Sequence, residues 1–137
     1  MKTIKVVVDW CGKNYAAYIY DKRIGGTVLA TSKTFDGLQK EVVDSLQFHI
    51  EGCMQDGDSI SEDIKNGKYK LEYEKRISAI LHDVQEYTTL SAISRASGIR
   101  HAQLSHYANA VSVPKPPQLK RIIDGLHHIS QEIAGIV

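Results

Sequence analysis

Cysteine is scarce in this chain: there are two in 137 residues, Cys11 and Cys53, far apart and forming no C-x-x-C pair. That count argues against a disulfide framework or a structural zinc site and fits two plain reduced thiols. Proline is confined to Pro114, Pro116 and Pro117, and no Gly-, Ser- or Pro-rich linker, internal repeat or low-complexity tract interrupts the chain. Long apolar runs are missing. Stretches such as Val6-Val7-Val8 fall far short of a membrane span, and the start Met-Lys-Thr-Ile-Lys-Val lacks a signal-type apolar stretch, so a soluble cytoplasmic protein with no membrane partner is expected. Length is limiting too, since 137 residues suffice for one respectable core or two small ones, but not for an enzyme with separate substrate and cofactor domains.

Catalytic constellations are equally thin. No serine stands in a recognisable nucleophile setting, and Gly25-Gly26 and Gly98 lack the lysine and spacing of a phosphate loop. His127 and His128 are neighbours on a helical pattern, about 100° apart, and share a metal poorly. His49 reads as a boundary histidine. The best nuclease candidates are Asp9 on a first strand with Glu41, Asp44 and Glu51 on a following helix, but Asp9 is out of phase with Ile4, Val6, Val8 and Trp10. The expectation is therefore no enzymatic activity, no metal and no other cofactor.

What is present falls into two halves. Residues 3 to 10 alternate with period two, residues 15 to 20 are aromatic-rich and β-prone, and residues 27 to 33 make a third strand, which together predict an antiparallel meander. Thr34 and Asp36 are both candidate N-caps for a helix in which Leu38, Val42, Leu46, Ile50 and Met54 recur every fourth residue, joined by Val43 and Phe48. After a polar loop, residues 68 to 74 read KYKLEYE, a fourth strand with Tyr69, Leu71 and Tyr73 opposite a charged, solvent-facing side. From Glu74 the period turns helical through Ile77, Ile80, Leu81 and Val84. The boundary is set near Lys75, giving an α+β chain with a βββαβ domain at 1–75 and an all-α domain at 76–137, which either pack together or share the strand-to-helix junction.

Charge follows the same division. Residues 1 to 75 hold 11 Lys+Arg and 12 Asp+Glu, whereas residues 91 to 121 hold Arg95, Arg100, Lys115, Lys120 and Arg121 and no acid, which suggests a polyanion partner for that stretch alone. Within it Thr89 or Thr88 caps a short helix with Leu90 and Ile93, Ser97-Gly98 makes a turn, and a second helix carries Leu104 and Tyr107. Ile93, Ser97, Ile99, Leu104 and Tyr107 keep the offsets from Gly98 that a helix-turn-helix requires, with small Ser94 four before the glycine. Pro114-Lys115-Pro116-Pro117 then stops one helix and starts another bearing Leu119, Ile122, Ile123, Leu126, Ile129 and Ile133. The second helix would present His101, Ala102, Gln103, Ser105, His106 and Asn109 to base edges in a duplex major groove, with Arg100, Lys115, Lys120 and Arg121 on phosphates.

About 40 residues of this half resemble the Cro/C1-type repressor domain, with Ala108 and Ala110 where that family commonly has an acid and a glycine. The N-terminal half, through Asn14-Tyr15, Ala17, Gly25-Gly26, Thr34, Phe48-His49-Ile50-Glu51-Gly52 and Asp56-Gly57-Asp58, resembles the HicB family of antitoxins. The resemblance implies a partial ribonuclease-H-like domain that blocks a small HicA-like ribonuclease toxin, and a C-terminal domain that represses the shared operon on double-stranded operator DNA; a homodimer or higher even oligomer is expected because helix-turn-helix domains commonly read two half-sites one turn apart. Large, low-entropy tyrosines suit the toxin contact, with Tyr15, Tyr18, Tyr20, Tyr69 and Tyr73 as the candidates. The alternative is a stand-alone regulator whose N-terminal domain senses a ligand or dimerises.

Overall fold

Alternation along the first strand sets up the sheet. In the computed structural model, which describes residues 2 to 137, β1 (Lys2–Trp10) turns Ile4, Val6 and Val8 inward, each fully buried. β2 (Tyr15–Asp21) runs antiparallel beside it with Ala17 opposite Val8, and β3 (Gly26–Ser32) runs antiparallel to β2 with Val28 opposite Ile19. β4 (Tyr69–Lys75) lies on the other side of β1 and parallel to it, Leu71 opposite Ile4, so the sheet is mixed, in the order β3-β2-β1-β4. A parallel return needs a long crossover, and the chain supplies one between β3 and β4.

Most of that crossover is α1 (Phe35–Gln55). Thr34 is its N-cap, with Oγ1 accepting from the Gly37 N–H at 3.0 Å. Leu38, Val42, Leu46, Ile50 and Cys53 are buried, and the helix covers the β2–β3 side of the sheet. Met54, Val43 and Phe48, read from sequence as part of the same face, are exposed. A four-residue repeat drifts about 40° per step against the 3.6-residue turn, so by Met54 the row has left the sheet and Cys53 takes the inward place.

Two connections are more ordered than their composition suggests. The β2–β3 link is a 3₁₀ turn over Lys22–Ile24, capped by Asp21. Its carboxylate accepts from the Arg23 backbone N–H at 3.0 Å and from Arg23 Nε and Nη2 at 2.9 and 2.6 Å, while Nη2 also donates to the Thr3 carbonyl on β1 at 2.7 Å. The stretch after α1, read as a polar loop, holds the one-turn helix α2 (Glu62–Lys65) and buries Ile60 and Ile64. Two isoleucines spaced four apart among polar residues are too few to reveal a helix by periodicity.

The chain divides into two compact units, Met1–Arg76 and Ile77–Val137, the second entirely helical. β4 extends to Lys75, so helix begins at Ile77 rather than Glu74. The second unit comprises α3 (Ile77–Val84), α4 (Leu90–Ser97), α5 (His101–Ala108) and α6 (Pro116–Ala134). Their core is Ile77, Leu81, Ile93, Ile99, Leu104, Tyr107, Ala108 and Ile122. With a four-stranded mixed sheet and six helices the fold is α+β, and no helix among the described residues is long and apolar enough to cross a membrane.

Candidate nucleic-acid interface

The α4–α5 connection is built by three serine and glycine positions. Gly98 takes φ +73°, which an L side chain adopts only with strain, and its N–H donates to the Ser94 carbonyl at 2.9 Å. Ser94 Oγ donates to the Ile99 carbonyl at 2.6 Å, and the Ile99 N–H donates to Ser97 Oγ at 3.2 Å. Thr89 caps the start of α4 through the Ala92 N–H at 3.0 Å. The turn therefore satisfies its own polar groups while Ile93, Ile99 and Leu104 close the core beneath it.

α6 locks this arrangement. Gly125 sits where an added Cβ would stand 3.1 Å from both Cβ and N of Ser97, so α4 and α6 approach at backbone distance. Tyr107 Oη donates to Gln118 Oε1, tying α5 to the first turns of α6. Arg121 Nη2 donates to the Gly98 carbonyl at 3.1 Å. Sequence reasoning missed Gly125, because a glycine inside a helical pattern signals close packing only once its neighbour is known.

With Leu104, Tyr107 and Ala108 turned inward, the opposite side of α5 faces solvent. His101, Ala102, His106 and Asn109 are exposed there, and Gln103 and Ser105 partly so. Asn109 Nδ2 donates one N–H to the Ser105 carbonyl at 3.0 Å and keeps its second N–H and Oδ1. The N-cap of α5 is Arg100, with no side-chain cap, and the first N–H groups of the helix are left to solvent or an anion beside a guanidinium and His101. Arg in a position usually held by Ser, Thr, Asp or Asn was a legible signal of this. Lys115 is the N-cap of α6 and is exposed.

Two of the expected phosphate contacts have other work as well. Lys120 Nζ pairs with Asp124 at 2.6 Å, an acid just beyond the acid-free stretch. Arg121 spends one N–H on Gly98 and keeps four donors. Arg95, exposed in the last turn of α4, adds a cation that the site residues read from sequence did not include. Ala110 adopts φ +59°, the left-handed turn for which the resembled family uses glycine.

In the N-terminal unit the five tyrosines do not share a face. Tyr18 opposes Val7 on the side of the sheet away from α1, with Tyr20 (74 % exposed) and Leu29 (69 %) beside it. Tyr69 and Tyr73 instead lie in register with the inward side of β1, Tyr73 opposite Val6. Tyr15 is only 7 % exposed, stacked edge-on against Trp10 and Phe35 at 5.0 and 5.9 Å, and this removes it from the docking surface read from sequence. Tyr73 packs on the same Phe35 at 5.6 Å, and burial raises its hydroxyl above the ordinary range. The outer face of β4 is charged, with Lys70, Glu72 and Glu74, the last paired to Lys5 at 2.8 Å.

Asp9 alternates with Val8 and pairs with Ala16, so it lies on the face of the sheet opposite the one that α1, with Glu41, Asp44 and Glu51, covers. His49 Nε2 lies 2.8 Å from the Ile24 carbonyl, to which it can only donate, and 3.6 Å from Cys53 Sγ. Burial, then Asp58 and Asp56, push the Cys53 thiol up, so it stays protonated at neutral pH. No group of three or more His, Cys, Asp or Glu side chains among the described residues is placed to hold a metal ion. No family model, curated protein or solved structure matches the chain.

Proposed function

We infer that α4 and α5 form a helix-turn-helix that reads a duplex major groove, and that the chain is an antitoxin which neutralises a small ribonuclease toxin and represses its own operon. The observation that carries the DNA reading is the outward row of α5, with His101, Ala102, Gln103, Ser105 and His106, beside Arg95, Arg100 and Lys115 in a stretch without an acid. Gln bonds adenine bidentately, His donates or accepts at a base edge, and Ala meets a thymine methyl. The uncapped start of α5 suits a phosphate. For the N-terminal unit, the βββαβ order with β4 parallel to β1 supports the partial ribonuclease-H-like reading. Tyr18 and Tyr20, on the face of the sheet away from α1, are the tyrosines best placed for a protein partner.

Competition binding to the chain's own promoter and to random duplex, at several salt concentrations, tests the DNA reading. Gln103→Ala or His106→Ala should cost about 1–3 kcal/mol on the preferred site and much less on random duplex. Lys115→Ala should weaken both and lower the salt slope by about one unit. Operator preference unchanged in Gln103→Ala and His106→Ala, with both proteins folded, sinks the assignment. Co-expression with the neighbouring reading frame and co-purification of its product tests the antitoxin half, for which a fragment of 1–76 should suffice.

A further inference from the structure

β3 ends the sheet order, so among the described residues no strand pairs with its outer edge. Its seven residues, GTVLATS, include no charge and no proline, whereas Lys70, Glu72, Glu74 and Lys75 crowd the opposite edge strand, β4. Edge strands are ordinarily blunted by such charges or by proline, and β3 carries neither. Between this edge and α1 lies an open groove of about 430 Å³, walled by Leu29 on the strand, by Phe48 and Gly52 on the helix, and by Asp56 and Asp58 just past the helix end. A Cβ added to Gly52 would meet nothing within 4 Å, so the helix leaves room there. Phe48 is 79 % exposed on the α1 side, and Leu29 projects from the other face of the sheet, so an apolar side chain flanks the open edge on each face.

We propose that the β3 edge takes an extended basic segment of a partner protein, which joins the sheet as a further strand. The outer backbone N–H and C=O groups of β3 supply the pairing, and Phe48 and Leu29 receive alternate side chains of the segment on the two faces. Charge fixes the kind of segment. From Glu41 to Ile64 the chain has seven acids and no Lys or Arg. Asp56 and Asp58 stand at the groove itself, no Lys or Arg is among the residues that wall it, and the His49 imidazole in its wall commits Nε2 to the Ile24 carbonyl at 2.8 Å. The nearest cations along the chain have other places: Arg23 is turned to the Asp21 carboxylate and the Thr3 carbonyl, Lys22 precedes β3, Lys33 follows it, and Lys40 lies on α1 beside Asp36 and Asp44. A Lys or Arg at the end of the segment next to Gly26 therefore meets Asp56 and Asp58. A second copy of the chain fits less well. Its own β3 brings no cation, and pairing two β3 strands sets two α1 helices side by side, each with Asp36, Glu41, Asp44 and Glu51 against the single Lys40. The inference requires neither the DNA reading nor a toxin, only a partner that carries such a segment.

Selection of a displayed library of random dodecapeptides on the full chain, followed by titration of the best peptide, tests it. The selected sequences should alternate apolar or β-branched residues and carry Lys or Arg toward one end, and the bound peptide should protect the amides of β3 from hydrogen exchange. Leu29→Lys and Phe48→Glu should each raise the dissociation constant at least about tenfold with unchanged circular dichroism, since both side chains are exposed. Asp56→Asn combined with Asp58→Asn should weaken the basic peptide and flatten its salt dependence. Val113→Glu, exposed on the helical unit, should change nothing. A library that yields no binder, winners without Lys or Arg, or protection that falls outside β3 overturns the proposal. So does a chain whose β3 amides gain protection with its own concentration, because a second copy then covers the edge. The antitoxin reading stands or falls separately, on co-purification of the neighbouring product.

Discussion

Gly125 faces the backbone of Ser97 so closely that a methyl group on it would lie 3.1 Å from both N and Cβ of that residue. Ser97 immediately precedes the left-handed Gly98 and holds the Ile99 N–H, so whatever moves Ser97 moves the connection to α5. In an ordinary helix Gly→Ala gains up to about 1 kcal/mol. Here Gly125→Ala should lose about 1–2 kcal/mol net, because the new methyl meets backbone, which cannot rotate away. Urea unfolding would show it, and a midpoint above that of the unsubstituted protein would contradict the close approach.

Ala110 presents the opposite case. Its φ of +59° imposes a strain that glycine does not feel, and its side chain is exposed. Ala110→Gly should stabilise the protein by roughly 0.5–1 kcal/mol, the left-handed penalty less the extra entropy glycine loses on folding. A melting temperature equal to or below that of the unsubstituted chain would count against the strained turn.

Asp21 sets a pH dependence. Hydrogen bonds from the Arg23 side chain hold its carboxyl below the usual carboxylate range, outweighing the opposing effect of burial. A depressed folded-state value gives stability that is fully present above the unfolded pKa of about 3.9 and is lost as pH falls through the lowered value. Asp21→Asn should therefore be less stable near neutrality, and the difference should shrink below about pH 4. Denaturant titrations at stepped pH would reveal a constant difference if the Arg23 clasp contributed nothing.

Lys120 is held by Asp124 at 2.6 Å. The DNA reading predicts that Asp124→Asn frees this cation, tightening binding to operator and random duplex alike and steepening the salt slope by up to about one unit. The stability cost should stay near 0.3–0.5 kcal/mol, the usual size for an exposed i,i+4 pair. Weaker binding in this variant would mean that α6 does not approach phosphates.

How far the sequence alone could reach depended on whether a residue's environment is local. The offsets of Ile93, Ser97, Ile99, Leu104 and Tyr107 around Gly98 were readable because a tight turn between short helices fixes them within one stretch of chain. The period-two face of β1 was readable for the same reason. Tyr15 was misplaced because its partners Trp10 and Phe35 flank it across a sheet and a helix start, and alternation alone cannot say which face α1 will cover. The second duty of Arg121 was hidden too, since its bond to Gly98 joins positions brought together only by the α4–α6 crossing.

The pairing of Lys2 with Tyr69 and of Val8 with Lys75 has a consequence for how the chain comes into being. β1, β2 and β3 assemble from neighbours, but one flank of β1 waits for nearly the whole unit to be synthesised before its last strand arrives. The all-helical unit closes over much shorter sequence separations. Refolding from denaturant should accordingly show helical signal from residues 77 to 137 recovering before the sheet signal of the first unit, because loop closure slows non-local pairing. On the ribosome, a nascent chain halted before residue 69 would present β1 with an open edge, the state most exposed to pairing with the wrong strand.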